Sequence, residues 1–178
     1  MLEVEIKAKV KNLDEIEKKL LEMGAYLIGI EKQKDIYFTP PFKDFKKSDE
    51  ALRLRKSNEV YYLSYKGPKL DSKAKIREEV QVEVDPRIVI ILENLGFSQG
   101  PKVEKVRKIY SLDDVKICLD RVKNLGDFIE IETIQRYKET DEIKKELFDI
   151  LEKLGIDKSN ATIKSYLELL EEKKKGTK

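Results

Sequence analysis

The chain has 178 residues, of which 37 are basic and 35 acidic, and it contains one cysteine, no histidine and no tryptophan. Its length and its hydrophobic content of 40% are sufficient for one domain with its own core. A single cysteine excludes an intramolecular disulfide and a thiolate cluster, and the lack of histidine excludes a Ser-His-Asp triad and an imidazole zinc site. Any catalysis would have to use carboxylates, lysine, arginine, tyrosine and hydroxyl groups.

Composition also limits the compartment and the partners. The first five residues, Met1 to Glu5, have the character of neither a signal peptide nor a transit peptide, and no segment approaches the roughly 20 apolar residues of a membrane span. We therefore expect a cytoplasmic protein without a membrane partner. The net charge is only +2 although 40% of the residues are charged, and no basic patch is interleaved with aromatic residues. This pattern does not predict a nucleic-acid partner.

The first predicted elements are a strand and a helix. Apolar and charged residues alternate from Leu2 to Val10, which is typical of a strand with one apolar face. Asn12 is a suitable N-cap for an amphipathic helix with apolar positions from Leu13 to Met23, and Gly24 is a suitable end. Such a helix would cover one face of a sheet.

Extended segments dominate the rest of the chain. Alternating apolar and polar residues predict strands over 26–38, 51–57, 60–66, 75–84, 103–110, 114–122 and 127–135. Two further segments are predicted as helices, a buried one over 86–96 and an amphipathic one over 139–154.

Two segments are predicted to be irregular. The loop over 39–50 is interpreted either as a lid, with Lys43, Lys46 and Lys47 reaching phosphate, or as a merely solvated loop. The charged tail over 171–178 is expected to fray, so the predicted domain comprises residues 1–170.

Charged side chains recur at alternate strand positions, which places them on one face of the predicted sheet. Two arrangements are compatible with this pattern. A flat sheet would leave the charges in water, where ion pairs contribute at most about 1 kcal/mol each. A sheet of about eight strands can instead close into a barrel whose interior they line.

The two signs of charge predict different ligands. Carboxylates two positions apart, as in Glu3 with Glu5, can supply hard oxygen ligands to Mg²⁺ or Mn²⁺. Basic residues with the same spacing, as in Lys105 with Arg107, can hold an anion that has several phosphate groups. Together they predict a polyphosphate bound between protein cations and divalent metal.

The segment Glu3-Val4-Glu5-Ile6-Lys7 resembles the Glu-x-Glu-x-Lys signature of the CYTH, or triphosphate tunnel metalloenzyme, superfamily. The similarity continues in order through Leu52-Arg53-Leu54-Arg55, Tyr65-Lys66-Gly67-Pro68, Val103-Glu104-Lys105-Val106-Arg107, Leu119-Asp120, Leu125 to Glu132 and Ser165-Tyr166. The compact class IV adenylate cyclase type is the most similar branch, whereas Arg77-Glu78-Glu79 is more similar to the hydrolase members.

The resemblance implies an α+β fold, a closed antiparallel β-barrel of about eight strands with a charged lumen and helices packed outside. It implies that Glu3, Glu5 and Glu130 bind Mg²⁺ or Mn²⁺, with Asp120, Glu132 and Glu79 as further metal-binding candidates. The residues expected to hold the triphosphate are Lys7, Arg53, Arg55, Lys66, Arg77, Lys105 and Arg107. Lys7, Glu5 and Asp120 are the catalytic candidates, and strand parity places Arg77 and Glu79 in the lumen and Glu78 outside it.

Three functions remain open at this point. A cyclase would convert ATP to cyclic AMP and pyrophosphate, and a triphosphatase would hydrolyse tripolyphosphate, thiamine triphosphate or a nucleoside triphosphate. A binding module without turnover would not need converging carboxylates, so the motif favours an enzyme. The resemblance also makes a homodimer an expectation.

Overall fold

The computed structural model describes residues 2–70, 74–133 and 139–176, without the side chains of Leu2, Glu3 and Lys75. The strands are β1 (Leu2–Lys9), β2 (Tyr26–Thr39), β3 (Ala51–Ser57), β4 (Val60–Lys66), β5 (Lys75–Val84), β6 (Ser98–Leu112), β7 (Val115–Val122), β8 (Gly126–Thr133) and β9 (Ala161–Thr162). The helices are α1 (Leu13–Glu22), α2 (Ile88–Asn94), α3 (Thr140–Lys153) and α4 (Tyr166–Gly176), with a 3₁₀ turn over Lys158–Asn160. Residues 134 and 135 of the last long predicted strand lie outside the described residues.

Eight antiparallel strands form a closed barrel. Around the sheet they follow the order β5-β4-β3-β2-β6-β7-β8-β1, and β1 closes the circle by pairing with β5. The short strand β9 pairs with Lys7 and Ala8 of β1. The predicted α+β fold with a closed barrel of about eight strands is therefore confirmed.

Alternation along each strand separates an apolar outer face from a charged inner face. In β1, Val4, Ile6 and Ala8 are buried under the outer helices, whereas Glu5 and Lys7 lie along the lumen. The main core joins these residues to apolar side chains of α1 and α3 and to the outward positions of β7 and β8. This core holds in place the strands that carry the charged lumen residues.

Helix α1 begins and ends where the sequence predicts. The side chain of Asn12 accepts hydrogen bonds from the backbone N–H groups of Asp14 and Glu15, as an N-cap residue does. Gly24 follows the helix with φ of +92°, a backbone conformation that glycine adopts without strain.

Helix α2 is not the buried helix that the sequence predicts. Leu92 alone among its residues is buried, and it packs in a cluster with Phe38 and Leu54 on the outer face of the barrel. Ile90 and Ile91 are 57% and 54% exposed. The reason is geometric, because a helix of seven residues forms only two turns and presents a narrow stripe to the sheet.

Strand β6 begins at Ser98, five residues before the predicted start at residue 103. The dipeptide Gly100-Pro101 indicates a break in the sequence pattern. In the structure it lies opposite a register shift between Ile36 and Phe38 of β2, so the strand continues through an irregularity.

The charged tail is helical as far as Gly176, since residues 171–176 form the end of α4. Its fraying stays a prediction. Ion pairs join it to other parts of the chain, since Lys46 lies 2.9 Å from Glu171 and Lys164 lies 2.7 Å from Glu172. Lys173 donates a hydrogen bond to the backbone carbonyl of Asn124. Among the helices that the structure describes, none has the length and apolar character that crossing a membrane requires.

Candidate functional site

The barrel encloses a cavity of about 730 Å³. All seven basic residues predicted to hold a triphosphate line this cavity: Lys7, Arg53, Arg55, Lys66, Arg77, Lys105 and Arg107. Four of the predicted carboxylates line it as well, namely Glu5, Glu79, Glu130 and Glu132. The side chain of Glu3 lies outside the described part of the structure, although its backbone pairs with Arg77.

The lumen concentrates buried positive charge. Six of the seven basic residues are buried, and the side chain of the seventh, Arg55, is only 12% exposed. In the described structure, the Nε groups of Arg53 and Arg77 have no hydrogen-bond partner. Buried donors without an acceptor are costly, so these two groups are suited to an anionic ligand that enters the cavity.

Lys7 lies between two carboxylates. Its Nζ atom is 3.3 Å from Glu5 and 3.2 Å from Glu130, and the side chain is 2% exposed. Burial alone would lower the pKa of Lys7, but the charges of Glu5 and Glu130 outweigh it and raise the pKa. Lys7 therefore carries its charge at neutral pH.

The positions of Glu5 and Glu130 around Lys7 also indicate whether a divalent cation would fit here. Because Glu5 and Glu130 both approach one ammonium group, their oxygens converge on a point that a hard cation could share. Within the described ranges, no group of three acidic or cysteine side chains is arranged to hold a metal ion. The third predicted ligand is Glu3, so the donor set fits Mg²⁺ or Mn²⁺ if Glu3 joins the other two.

Asp120 lies on the same face of β7 as the cavity residue Lys116 and is fully buried beneath other lumen side chains. It accepts hydrogen bonds from Arg107 Nε at 2.7 Å, Lys105 Nζ at 2.9 Å and the Tyr166 hydroxyl at 2.8 Å. Burial raises the pKa of Asp120, but the charges of Arg107 and Lys105 outweigh it and lower the pKa. These contacts favour a role in orienting the two cations, and the metal-binding and catalytic roles of Asp120 remain predictions.

Lys105 has an unusual electrostatic environment. Burial and the neighbouring guanidinium of Arg107 lower the pKa of Lys105 to about 8, although Asp120 acts in the opposite direction. Arg107 itself also contacts Glu130, which links this pair to the carboxylates around Lys7. A phosphate group near Lys105 would favour the charged form.

Asp35 is a lumen residue that the sequence analysis missed. Its two carboxylate oxygens accept from Nε and Nη2 of Arg55, each at 2.7 Å, and Arg53 lies 4.0 Å away. Burial raises the pKa of Asp35, but Arg55 outweighs it and holds the pKa well below its ordinary value. The available signal was its parity in β2, because Gln33 and Asp35 occupy alternate positions that face the lumen.

The parity prediction for β5 is confirmed. Arg77 and Glu79 line the cavity, and Glu78 is exposed on the outside. Glu79 lies 2.5 Å from Lys66 Nζ and 3.4 Å from Arg53 Nη2, so it joins two of the predicted phosphate-binding cations.

Glu132 pairs with Lys116, a half-exposed cavity residue that the sequence analysis did not select. Burial alone would lower the pKa of Lys116, but Glu132 outweighs it and raises the pKa. The predicted metal-binding roles of Glu79 and Glu132 remain predictions.

The loop between β2 and β3 borders the cavity. Of the three lysines considered for a lid, Lys46 lines the cavity, Lys43 pairs with Glu50, and Lys47 is exposed. Lys69 joins this loop to α4, since its Nζ lies 2.8 Å from Asp49 and 3.1 Å from Glu168. Closure of the loop as a lid remains a prediction.

Tyr166 is another residue that the site prediction missed, although the segment Ser165-Tyr166 is part of the resemblance to the family. It is buried, and its ring centroid lies 4.3 Å from Lys7 Nζ and 4.7 Å from Lys105 Nζ. Helix α4 thus contributes an aromatic ring to the lumen, whereas the described charged groups of the lumen come mainly from strands.

Known proteins resemble this chain over nearly its whole length. Residues 1–166 match the family model described as "CYTH domain". A Methanocaldococcus jannaschii protein named "Putative adenylate cyclase MJ0240" is 39% identical over 172 residues, which cover 95% of this chain and 98% of that protein. The structure of PH1819 protein from Pyrococcus horikoshii is 42% identical with a TM-score of 0.84, and the match covers 96% of this chain and 99% of that one.

A more distant structure shares the fold. The Hippeastrum protein named "Putative adenylyl cyclase HpAC1" is 18% identical with a TM-score of 0.70, over 97% of this chain and 95% of that one. Its description reports a dominant triphosphatase activity of that protein. At this identity the likeness concerns the fold alone.

Proposed function

Because this chain belongs to the CYTH domain family, we propose that it is a divalent-metal-dependent enzyme that acts on a triphosphate inside the barrel. The observation that carries the proposal is the convergence of seven basic side chains on one cavity that also holds Glu5 and Glu130. The reaction that we propose first is that of a class IV adenylate cyclase, which converts ATP to cyclic AMP and pyrophosphate.

The cation set matches the charge of the substrate. A triphosphate carries about four negative charges, and phosphoryl and nucleotidyl transfers depend mainly on positioning and on neutralising that charge. Arg53 and Arg77 have buried Nε donors that would gain an acceptor, and Lys105 would be held in its charged form by a phosphate oxygen. The protein need not supply a covalent nucleophile.

Glu3, Glu5 and Glu130 would hold Mg²⁺ or Mn²⁺. A bound divalent cation neutralises phosphate charge and lowers the pKa of a coordinated hydroxyl group or water. If Glu5 and Glu130 held such a cation, their charge on Lys7 would be reduced, and the Lys7 ammonium group would be suited to bind the phosphate chain.

In the cyclase reaction, the 3′-hydroxyl oxygen of the ribose bonds to the α-phosphorus of ATP, and the hydroxyl proton is released to solvent. The bond from the α-phosphorus to the bridging oxygen breaks, and pyrophosphate leaves with that oxygen. The lysine and arginine side chains stabilise the charge that develops on the leaving group.

Triphosphate hydrolysis is the second candidate. It is favoured by the placement of Glu79, because Arg77-Glu78-Glu79 resembles the hydrolase members and Glu79 lies in the cavity between Lys66 and Arg53. In this reaction the oxygen of a water molecule bonds to the terminal phosphorus, and the bond from that phosphorus to its bridging oxygen breaks. The products are orthophosphate and the shortened chain, a proton of the water passes to solvent, and the same cations would neutralise the same phosphate chain.

One experiment tests both reactions. The protein is incubated with Mg²⁺ or Mn²⁺ and either ATP or tripolyphosphate, and the products are resolved by chromatography. The variant Glu5→Gln removes a predicted metal ligand, and Glu59→Gln is the matched control because Glu59 is 91% exposed in the β3–β4 turn.

Each product identifies one reaction. Cyclic AMP with pyrophosphate, lost in Glu5→Gln and kept in Glu59→Gln, would support the cyclase, and orthophosphate with the same pattern would support the triphosphatase. Tight tripolyphosphate binding without any product would contradict both and favour a binding module.

A further inference from the structure

We propose that Tyr166 is a positioning residue whose ring holds the ammonium groups of Lys7 and Lys105 toward the phosphate-binding cavity. The inference rests on the proposed function, because it assumes that these lysines bind a polyphosphate chain. It assigns a role to a residue of α4, an element that lies outside the barrel strands.

Both lysines lie close to one aromatic ring. Lys7 Nζ is 4.3 Å and Lys105 Nζ is 4.7 Å from the Tyr166 ring centroid, both within the range of a cation–π contact. The two lysines come from β1 and β6, strands that are not neighbours in the barrel. Backbone pairing therefore does not set the separation of the two ammonium groups directly, whereas the Tyr166 ring contacts both of them.

The Tyr166 side chain is held at two places. Its hydroxyl donates to Asp120 at 2.8 Å, and Phe128 packs edge-on with a centroid distance of 5.1 Å. The segment just before Tyr166 also contacts Lys7, because Lys7 Nζ donates a hydrogen bond to the backbone carbonyl of Lys164 at 3.1 Å. Tyr166 is buried, so the ring has little freedom to rotate away.

The position of α4 is set by polar contacts with the rest of the barrel. Lys69 pairs with Glu168, Lys46 pairs with Glu171, and Lys173 donates to the carbonyl of Asn124. The side chains of Leu167, Leu169 and Leu170 pack with Tyr166 against Val103 and Phe128 at one end of the lumen. The ring is thus presented by a docked helix.

A lysine side chain needs an additional contact to fix its orientation more than an arginine side chain does. Its ammonium group is a point charge on a flexible stem, whereas a guanidinium is planar and fixes its own geometry through paired hydrogen bonds. Arg107 and Arg55 are each held bidentately by a buried aspartate. Lys105 also donates to Asp120, and Lys7 lies near Glu5 and Glu130, so the electron-rich face of Tyr166 is a further contact for each lysine, one that adds no negative charge to repel phosphate.

The test compares three substitutions of Tyr166. Tyr166→Phe keeps the ring and removes the hydroxyl, whereas Tyr166→Leu removes the ring, and Tyr166→Met replaces it if the leucine variant does not fold. Tyr110 supplies matched controls, because it is equally buried and its hydroxyl also bonds a carboxylate, that of Glu17, outside the cavity. Calorimetry without metal gives the Kd of tripolyphosphate, and steady-state kinetics with Mg²⁺ or Mn²⁺ give kcat and KM.

We expect Tyr166→Leu or Tyr166→Met to weaken tripolyphosphate binding about tenfold or more, with a comparable rise in KM. Tyr166→Phe should stay within about threefold of the wild type, and Tyr110→Phe and Tyr110→Leu within about twofold. Equal binding by the leucine variant and the wild type would overturn the proposal. So would a phenylalanine variant as weak as the leucine variant, since the hydroxyl would then be the active group.

Failure of the inference and failure of the proposed function give different results. Wild-type protein that binds tripolyphosphate without turnover contradicts the enzyme, while the ratios of Kd still decide the role of Tyr166. Wild-type turnover with unchanged Kd and KM in Tyr166→Leu overturns the inference alone. A wild type that neither binds nor turns over a triphosphate overturns both.

Discussion

Two buried aspartates set the orientation of the lumen arginines. Asp35 holds Arg55 and Asp120 holds Arg107, each through a bidentate contact with Nε and Nη2. Bidentate pairs of this kind fix the guanidinium plane as well as its charge. A triphosphate therefore meets arginines that are already oriented, and less conformational entropy is lost on binding.

Asp35→Asn should lower the free energy of unfolding by about 3 kcal/mol, because it leaves Arg55 buried without its charged partner. The matched control is Asp85→Asn, since Asp85 and Arg87 form a similar bidentate pair on the surface. That variant should be unchanged, as surface pairs contribute little. Urea unfolding at neutral pH measures both, and equal losses would contradict the argument.

Asp35 should also make the stability of the folded protein depend on pH. Its pKa in the folded protein lies below the ordinary value of 3.8, so its stabilising contribution is fully present above that value. The contribution is lost as the pH falls through the folded pKa. Wild-type protein and Asp35→Asn should therefore become more alike in stability as the pH falls below 3.8.

Lys105 predicts a pH dependence of binding. With a pKa of about 8, it is charged below that pH and neutral above it, so the affinity for tripolyphosphate should fall as the pH rises through about 8. Lys105→Arg keeps the charge throughout this range and should remove the inflection. Calorimetric Kd values between pH 6.5 and 9.5 give the comparison. Identical pH profiles would show that another group titrates.

At the scale of elements, the short helices depend most on what they pack against. Strand alternation and the amphipathic pattern of α1 and α3 are strong local signals, and both were predicted correctly. Helix α2 has an apolar run wider than its contact with the barrel, and α4 has charges that pair with three other segments. The burial of α2 was predicted wrongly and helix α4 was not predicted, because both depend on packing against other parts of the chain.

Leu92→Ala should cost about 2–4 kcal/mol of unfolding free energy, because it opens a cavity between α2 and the barrel. Ile91→Ala, one residue away, should change stability by less than about 0.5 kcal/mol, because Ile91 is more than half exposed. Denaturant unfolding of the two variants separates these cases. A large loss in Ile91→Ala would indicate that this face of α2 is covered in solution, for example in the expected homodimer.

At the scale of the whole molecule, closure of the barrel decides the chemistry. The pairing of β1 with β5 joins segments about 75 residues apart and brings Glu5 and Lys7 to the same cavity as Arg77 and Glu79. Because helices pack on the apolar outer face of the barrel, the charged face of the sheet points into the lumen. The low-dielectric wall then strengthens each interaction between a lumen cation and an anionic ligand.

Tripolyphosphate should stabilise the folded protein. At about 100 times its Kd it should raise the free energy of unfolding by about 2.7 kcal/mol, because it binds the closed barrel and not the unfolded chain. Lys66→Met should reduce this effect, whereas Lys123→Met, outside the described cavity, should leave it unchanged. Thermal unfolding with and without tripolyphosphate measures the shift, and equal reductions in the two variants would indicate non-specific binding.

Salt should weaken that stabilisation. Raising the ionic strength from about 0.01 M to about 1 M shortens the screening length from roughly 30 Å to roughly 3 Å, so long-range attraction of the phosphate is lost and the contacts inside the lumen remain. A partial loss of affinity is therefore expected.

The sequence by itself determined which residues face the lumen. A strand alternates with a period of two residues, so the side on which Arg53, Lys105 or Glu130 lies follows from local pattern alone. The motifs, in their order along the chain, predicted the family and the basic residues of the site. The family is confirmed, and all seven predicted basic residues line one cavity. Their binding of a triphosphate remains a proposal.

Only the tertiary structure decided which charges meet. Asp35 with Arg55, Asp120 with Lys105, and Tyr166 with Lys7 are contacts between residues 15 to 159 positions apart, and local pattern has no information about such distances. The choice depends on how the sheet closes and where α4 docks, which are set by non-local pairing and core packing. Sequence reasoning therefore identified the groups that the site contains, and the fold determined how they are held.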